Sequence, residues 1–285
     1  MVIDFMHHQP RNTRRFLVFG FYIRFRSNTH ALQSNTKHSR APIKHSRAQV
    51  VLGNDYVMEE IEVDGRTLTY KQLEGGFTQP NAGISAKMLE WAKSAAVSDK
   101  SAAVSDCAGG GEEGADIDTT LTTRRRDDDF LELYCGNGNF TIAMAPMFRK
   151  VLATEVSKVS VAAAKHNAEL NDADNVAFAR LSSEELTLAL DQGKEFTRLE
   201  DVPPLESYDL KTVLVDPPRA GMGPEVAKFV SRFERIVYVS CNPATLADDV
   251  RMLHDTHVVK RFAAFDQFPY TPHLECGALL VAKER

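Results

Sequence analysis

Two side chains stand where covalent chemistry is done. Cys241 lies in Ser240-Cys241-Asn242-Pro243, directly after the apolar run Ile236-Val237-Tyr238-Val239. In an open α/β sheet, ligands bind just past the C-terminal ends of the strands, and a thiol there faces them. A structural cysteine would more naturally lie within the strand as a small buried hydrophobe. The thiolate is the nucleophile, and an ordinary thiol pKa of about 8.5 must fall for efficient attack, which a following helix N-terminus can assist. Glu275, in His273-Leu274-Glu275-Cys276-Gly277, opens the last apolar run and is a candidate general base. For Glu275 and His273 alike, the plain alternative is a polar residue at a strand edge.

Three further groups have the pattern of ligand-holding residues. Glu132-Leu133-Tyr134-Cys135-Gly136-Asn137-Gly138-Asn139-Phe140 places two glycines directly after a short apolar strand, where backbone can approach a nucleotide closely. A dinucleotide fingerprint would require a third glycine where Thr141 stands, and a plain turn would also explain two glycines. Glu155 follows Val151-Leu152-Ala153-Thr154, about 20 residues beyond the turn, the separation at which a carboxylate accepts ribose hydroxyls. A solvated surface acid is its alternative. Asp216-Pro217-Pro218-Arg219 follows Val213-Leu214-Val215; the prolines stop the strand and present both charges at the sheet edge.

These residues need a frame that brings strand ends together. From Phe130 the sequence alternates. Strands are expected at 130–134, 151–154, 176–181, 210–215 and 236–240, with helices in 159–170, 184–192, 225–233 and 245–254, and two last strands at about 259–265 and 276–283. Strands alternating with helices imply a parallel sheet covered on both faces. Upstream, residues 55–73 read as a β-ribbon with an Asp64-Gly65 turn, and Phe77-Thr78-Gln79-Pro80-Asn81 leads into an amphipathic helix through Met88, Leu89 and Trp91. Residues 94–129, rich in Ala, Ser, Gly, Thr and Asp, have too few large apolar side chains to offset their ordering entropy and read as a flexible surface insertion. Two tandem repeats, Lys37–Ala41 with Lys44–Ala48 and 93–99 with 100–106, are too short to be structural units.

The 285 residues allow a sizeable core, and 43% hydrophobic with 26% charged residues is ordinary for a globular chain. A net charge of -5 argues against nucleic-acid binding by bulk charge, though not against a local basic patch. The four cysteines form no C-x-x-C pair and fit no zinc or iron–sulfur set, so neither a metal nor a cluster is expected. A reducing, intracellular compartment suits that cysteine usage. His254 and His257 read as solvated. No apolar run reaches the roughly 18–20 residues of a membrane span. Residues 1–49 hold nine Lys or Arg and one acid, Asp4. They read as an unstructured basic extension, with an organelle transit peptide as the alternative to a cytoplasmic protein.

The motifs Phe77-Thr78-Gln79-Pro80-Asn81, Leu133-Tyr134-Cys135-Gly136-Asn137-Gly138-Asn139-Phe140, Asp216-Pro217-Pro218-Arg219, Ser240-Cys241-Asn242-Pro243 and Phe265-Asp266-Gln267-Phe268-Pro269-Tyr270 occur in that order. Together they resemble the RNA uracil-C5 methyltransferases, and within them the branch acting on T-loop uridine 54 of tRNA. The resemblance covers about 50–283. It implies a class I, Rossmann-like S-adenosylmethionine-dependent methyltransferase fold, a mostly parallel sheet with an antiparallel last strand. It implies S-adenosylmethionine as cofactor, held by Gln79, Tyr134, Gly136, Asn139, Glu155 and Asp216. Cys241 matches the nucleophile and Glu275 the base, while Arg219 suits the charge developing on a uracil oxygen. The implied substrate is the tRNA T-arm, its target base flipped out, with Phe268 and Tyr270 able to stack on it. No membrane or obligate protein partner is implied. Residues 77–285 would be the catalytic domain and 50–76 the tail of the family's RNA-holding region, with 1–49 unassigned.

The nearest rival is an rRNA uracil-C5 methyltransferase, many of which carry a four-cysteine iron–sulfur site ahead of the catalytic domain; no cysteine here precedes Cys107. A cofactor- or RNA-binding remnant without activity is the rival from another class, and the complete set of chemical residues speaks against it. A small-molecule methyltransferase would not need this Cys and Glu pair.

Overall fold

The computed structural model of the protein describes residues 2–6, 54–97 and 127–284. Most of the basic extension and residues 98–126 of the expected insertion lie outside the described residues. Strands are β1 (Val2–Met6), β2 (Tyr56–Val63), β3 (Arg66–Leu73), β4 (Asp129–Leu133), β5 (Val151–Thr154), β6 (Val176–Ala179), β7 (Leu210–Val215), β8 (Arg235–Ser240), β9 (His257–Phe265) and β10 (Glu275–Ala282). Helices are α1 (Ala82–Val97), α2 (Asn139–Met144), α3 (Lys158–Leu170), α4 (Ser183–Gln192), α5 (Gly223–Val230) and α6 (Pro243–Leu253).

Eight strands form one sheet in the order β1-β9-β10-β8-β7-β4-β5-β6. Pairings from β6 through β8 are parallel, and β10 runs against both β8 and β9. The strands read as continuous apolar runs because both faces are covered. β4, β7 and β8 show why: Leu131, Leu133, Val213, Val215, Ile236 and Tyr238 pack on one face, and Phe130, Leu214, Val237 and Val239 on the other. Chain order reverses between β4 and β7, which opens a crevice at their C-terminal ends. No helix among the described residues is long and apolar enough to cross a membrane.

Four local features depart from the sequence expectation. Val2–Met6, in the stretch expected to lack structure, pairs in parallel with β9 at the sheet edge. The expected insertion is entered later and left earlier than composition indicates: α1 runs on to Val97, and Asp129 begins β4, fully buried. Asp129 accepts from Arg149 Nε and Nη2 at 3.0 and 2.6 Å and from the backbone N–H of Lys150 and Asp209. Against the cost of burial, these donors hold its carboxyl below the usual range. His257, expected to be solvated, is buried, with Nε2 2.8 Å from the Phe233 carbonyl, and burial lowers its pKa.

The β2–β3 ribbon is a separate two-stranded sheet docked on the main body. Two buried asparagines, Asn167 of α3 and Asn171 at its C-cap, hold its edge. Asn171 Oδ1 accepts from Thr69 N–H at 2.9 Å while its Nδ2 donates to Thr69 O at 2.7 Å. Asn167 Oδ1 accepts from Lys71 N–H at 2.8 Å, and its Nδ2 donates to Lys71 O at 3.5 Å and to Asn137 O at 3.1 Å.

Candidate active site

The glycine turn leaves β4 through two left-handed residues, Tyr134 (φ 63°) and Gly136 (φ 56°), before Gly138 (φ 88°) enters α2. Such a conformation is uncommon for a non-glycine side chain, and strain of this kind collects at ligand-holding turns. Gly138 is also needed for space, since a Cβ there would lie 3.3 Å from Ile142 Cδ1 and 3.4 Å from Ala164 Cβ. Glu155 grips the turn: Oε2 accepts from Gly136 N–H at 3.1 Å and Oε1 from Ser157 N–H at 2.8 Å. Each oxygen retains a second lone pair for a ligand hydroxyl.

A cleft opens beside this turn. Gln79, Tyr134, Gly136, Asn139 and Asp216 all line it; Glu155 stands behind, bonded to Gly136. Gln267 Nε2 donates to Gln79 Oε1 at 2.7 Å, connecting the Phe265–Tyr270 motif to the Phe77–Asn81 motif across 188 residues. Sequence reasoning missed several lining residues. Glu132, buried within β4, binds the Thr141 hydroxyl; burial, with Asp216 and Glu155 nearby, pushes its carboxyl up to about 8. Glu59 and Gln72 come from the ribbon, and Ser85 from the first turn of α1. The Ser85 hydroxyl and Gln267 Oε1 are buried and have no hydrogen-bond partner among the described residues. The only signal for Glu132 in the sequence was an acid in the middle of an otherwise apolar strand. None pointed to Glu59, Gln72 or Ser85, because their neighbours in space are distant in sequence.

One strand over, the expected reactive residues meet. Because β10 runs against β8, the start of β10 meets the end of β8, with Cys276 opposite Ser240. Glu275 and Cys241 therefore flank one register position. Glu275 is buried, and burial pushes its carboxyl up to about 7 while Arg219 draws it down. Asp216 is pushed up to about 8, by burial first and then by Glu275. Cys241 is half-buried; burial and Glu275 raise its thiol pKa, and Arg219 opposes them. The lowering expected from a helix N-terminus is outweighed, and that helix end is already served, since Asn242 Oδ1 accepts from Ala244 N–H at 3.2 Å.

Arg219 is placed from both sides. Its backbone carbonyl accepts from Asn242 Nδ2 at 3.1 Å and Thr245 Oγ1 at 3.3 Å, and its Nη1 lies 3.2 Å from His273 Nδ1. A guanidinium only donates, so the His273 nitrogen accepts. Farther along the same loop, Met222 N–H donates to buried Asp249 of α6 at 2.8 Å, and the Tyr238 hydroxyl donates to the same carboxylate. The carboxylate thereby fastens α6, β8 and the Asp216–Met222 loop to one point. Phe268 meets His273 edge-on with ring centroids 6.0 Å apart, and Tyr270, in the left-handed region (φ 65°), is fully exposed. Among the described residues, no group of three or more His, Cys, Asp or Glu is arranged to hold a metal ion.

Known proteins resemble this chain in sequence and in fold. The family model described as tRNA (Uracil-5-)-methyltransferase matches residues 24–111 and 117–283. A tRNA/tmRNA (uracil-C(5))-methyltransferase of Pseudomonas entomophila is 51% identical over 235 residues, 82% of this chain and 57% of that protein. One of Pseudomonas aeruginosa is 50% identical over 232 residues, 81% of this chain and 56% of that protein. The chain thus spans a little over half the length of the curated relatives it matches. The crystal structure of the Pyrococcus abyssi tRNA (uracil-54, C5)-methyltransferase in complex with S-adenosyl-L-homocysteine superposes with a TM-score of 0.58 at 25% identity, covering 86% of this chain and 49% of that one. The sheet is the Rossmann-like, mostly parallel one of S-adenosylmethionine-dependent methyltransferases, with its antiparallel strand near the end. On its motifs, its sheet and these matches, the chain belongs to the tRNA (uracil-5-)-methyltransferase family.

Proposed function

We propose that this chain transfers a methyl group from S-adenosylmethionine to C5 of a uridine in tRNA, at T-loop position 54, through a covalent bond between Cys241 and C6 of the base. The observation that carries the reading is the meeting of Cys241 and Glu275 across the β8–β10 register, beside a cleft that Asp216 also lines. The relatives' names support a tRNA substrate, and the likeness to the Pyrococcus abyssi tRNA (uracil-54, C5)-methyltransferase supports position 54.

The residues present fit the cofactor. The unpartnered Ser85 hydroxyl, buried in the cleft wall, is a donor that a ligand oxygen would satisfy. Gln79, Tyr134, Gly136, Asn139 and Asp216 would line its site, with Glu155 toward the ribose. When bound, the cofactor would supply an electrophilic methyl on a sulfonium, whose S–CH3 bond breaks on transfer to leave a neutral thioether.

C5 of uracil is a poor nucleophile. The Cys241 thiolate adds to C6, and the displaced electron pair moves to the ring oxygen as an enolate, next to which Arg219 places a positive charge. The electron pair returns through C5, which takes the methyl. Glu275 then removes the C5 proton, the C6–S bond breaks, and the C5=C6 double bond re-forms. The electrostatics suit that order. Ionised Glu275 raises the thiol pKa, so the two negative charges compete. Once sulfur is bonded to carbon, its charge is gone and Glu275 ionises with less opposition. The target base must leave its stack, and Phe268 and exposed Tyr270 offer faces for it.

The test uses T-arm RNA carrying 5-fluorouridine at the target, where C5 has no proton to lose. With cofactor, wild type should form an adduct that survives denaturing electrophoresis, and Cys241→Ala should not. Cofactor binding without adduct in wild type would favour the inactive remnant, and adduct on rRNA fragments alone would favour the rRNA reading.

A further inference from the structure

Glu59 belongs to the ribbon, outside the methyltransferase sheet, yet it lines the cleft and is only 6% exposed. Its Oε2 accepts from Gln72 Nε2 at 3.0 Å, and no hydrogen bond to Oε1 is formed among the described residues. Gln72 Oε1 in turn accepts from Asn137 Nδ2 at 2.6 Å, so the carboxylate is connected through one amide to the glycine turn. A carboxylate with an oxygen to spare, on the wall of a cleft, is a place where a cation or a strong donor can bind. Ser85 is an independent sign of a ligand in the same cleft: it is fully buried, and its hydroxyl has no partner among the described residues. It sits in the first turn of α1, where the helix dipole favours negative charge.

We infer that the ribbon completes the cofactor site, with Glu59 receiving the α-ammonium of the amino-acid end and Ser85 donating to its carboxylate. This rests on the S-adenosylmethionine reading above. Glu132, the other acid in that wall, is committed to Thr141 and pushed up to about 8 by burial, whereas Glu59 lines the same cleft with Oε1 free of any hydrogen bond among the described residues. A nucleoside thioether with no amino-acid end would leave both Glu59 and Ser85 unused.

Calorimetric binding of three compounds tests the assignment without relying on turnover: S-adenosylhomocysteine, its decarboxylated analogue, which keeps the amine, and 5′-methylthioadenosine, which lacks the whole amino-acid end. Glu59→Gln keeps an acceptor for Gln72 and removes only the charge. It should weaken S-adenosylhomocysteine and the decarboxylated analogue by about tenfold or more while changing methylthioadenosine by less than about twofold. Ser85→Ala should weaken S-adenosylhomocysteine and spare the decarboxylated analogue. Equal losses for all three compounds in Glu59→Gln would mean a structural role, and no loss would mean none; either overturns the assignment. A selective loss in Glu132→Gln in place of Glu59→Gln overturns it too. If wild type binds none of the three compounds, the cofactor reading itself fails; if wild type binds and Glu59→Gln matches it, only this inference does.

Discussion

In the proposed reaction Glu275 can act as base only when it is ionised, and its surroundings hold it up to about 7. Release of methylated RNA should therefore slow as pH falls below about 7, while adduct formation should track ionisation of the Cys241 thiol, whose pKa is raised as well. Glu275→Gln should flatten the release profile and trap methylated RNA on the protein, with turnover reduced by about a hundredfold or more. Quantifying adduct and free product across pH separates the two steps; a variant that still releases product at the wild-type rate would remove Glu275 from the reaction. Cys241 and Asp216 were legible in the sequence because each directly follows an apolar strand closed by proline or by a helix start. Glu59, Ser85 and Asp249 were not, because each acts through groups that only the fold brings near: Asp249 meets Met222 and Tyr238, 27 and 11 residues away. Asp129 misled for the opposite reason. An acidic run looks solvated until Arg149 and two backbone N–H groups are placed around it.

At the level of elements, alternation of strand and helix carried the topology, since each apolar run had one length and one flank that suited it. Ends were less readable. The helix expected to reach 233 stops at Val230, where the chain turns back so that Glu234 N–H can bond to Lys211 O and start β8 beside β7. The packing of α1 on β10 was unreadable altogether. Trp91 packs directly against Gly277, whose missing Cβ would fall 2.5 Å from Trp91 Cζ3. The same indole meets the Phe265 ring edge-on at 5.9 Å. Gly277→Ala should therefore cost about 1–3 kcal/mol by overpacking and lower Tm by roughly 5 °C. Pairing it with Trp91→Leu should cost less than the sum of the two changes. Thermal melts of the two single variants and the pair measure this, and strict additivity would contradict the contact.

Over the whole molecule, three buried carboxyls gather at one sheet edge. Glu132 and Asp216 are pushed up to about 8 and Glu275 to about 7, from ordinary values of 4.5, 3.8 and 4.5. Each proton is held by the folded chain at a pH where the unfolded chain has released it. Stability is therefore greatest below the ordinary values and is lost as pH rises from about 4 to about 8. Between about pH 6 and 8 the ligand-free protein should lose roughly 2 kcal/mol or more, some 4 °C or more in Tm. S-adenosylmethionine, with two positive charges to one negative, should reduce that slope; a Tm that rises with pH over this range would contradict the buried acid cluster. The ribbon that walls the cleft depends on two asparagines, one in α3 and one at its C-cap. Four residues along a helix advance about 6 Å, and two residues along a strand about 6.8 Å. Asn167 and Asn171 thus match Lys71 and Thr69 as the teeth of a gauge match a thread. A slip of one residue would invert every side chain of β3 and turn Gln72 out of the cleft. Helix α3, which lines none of that cleft, thereby measures the ribbon and admits one alignment.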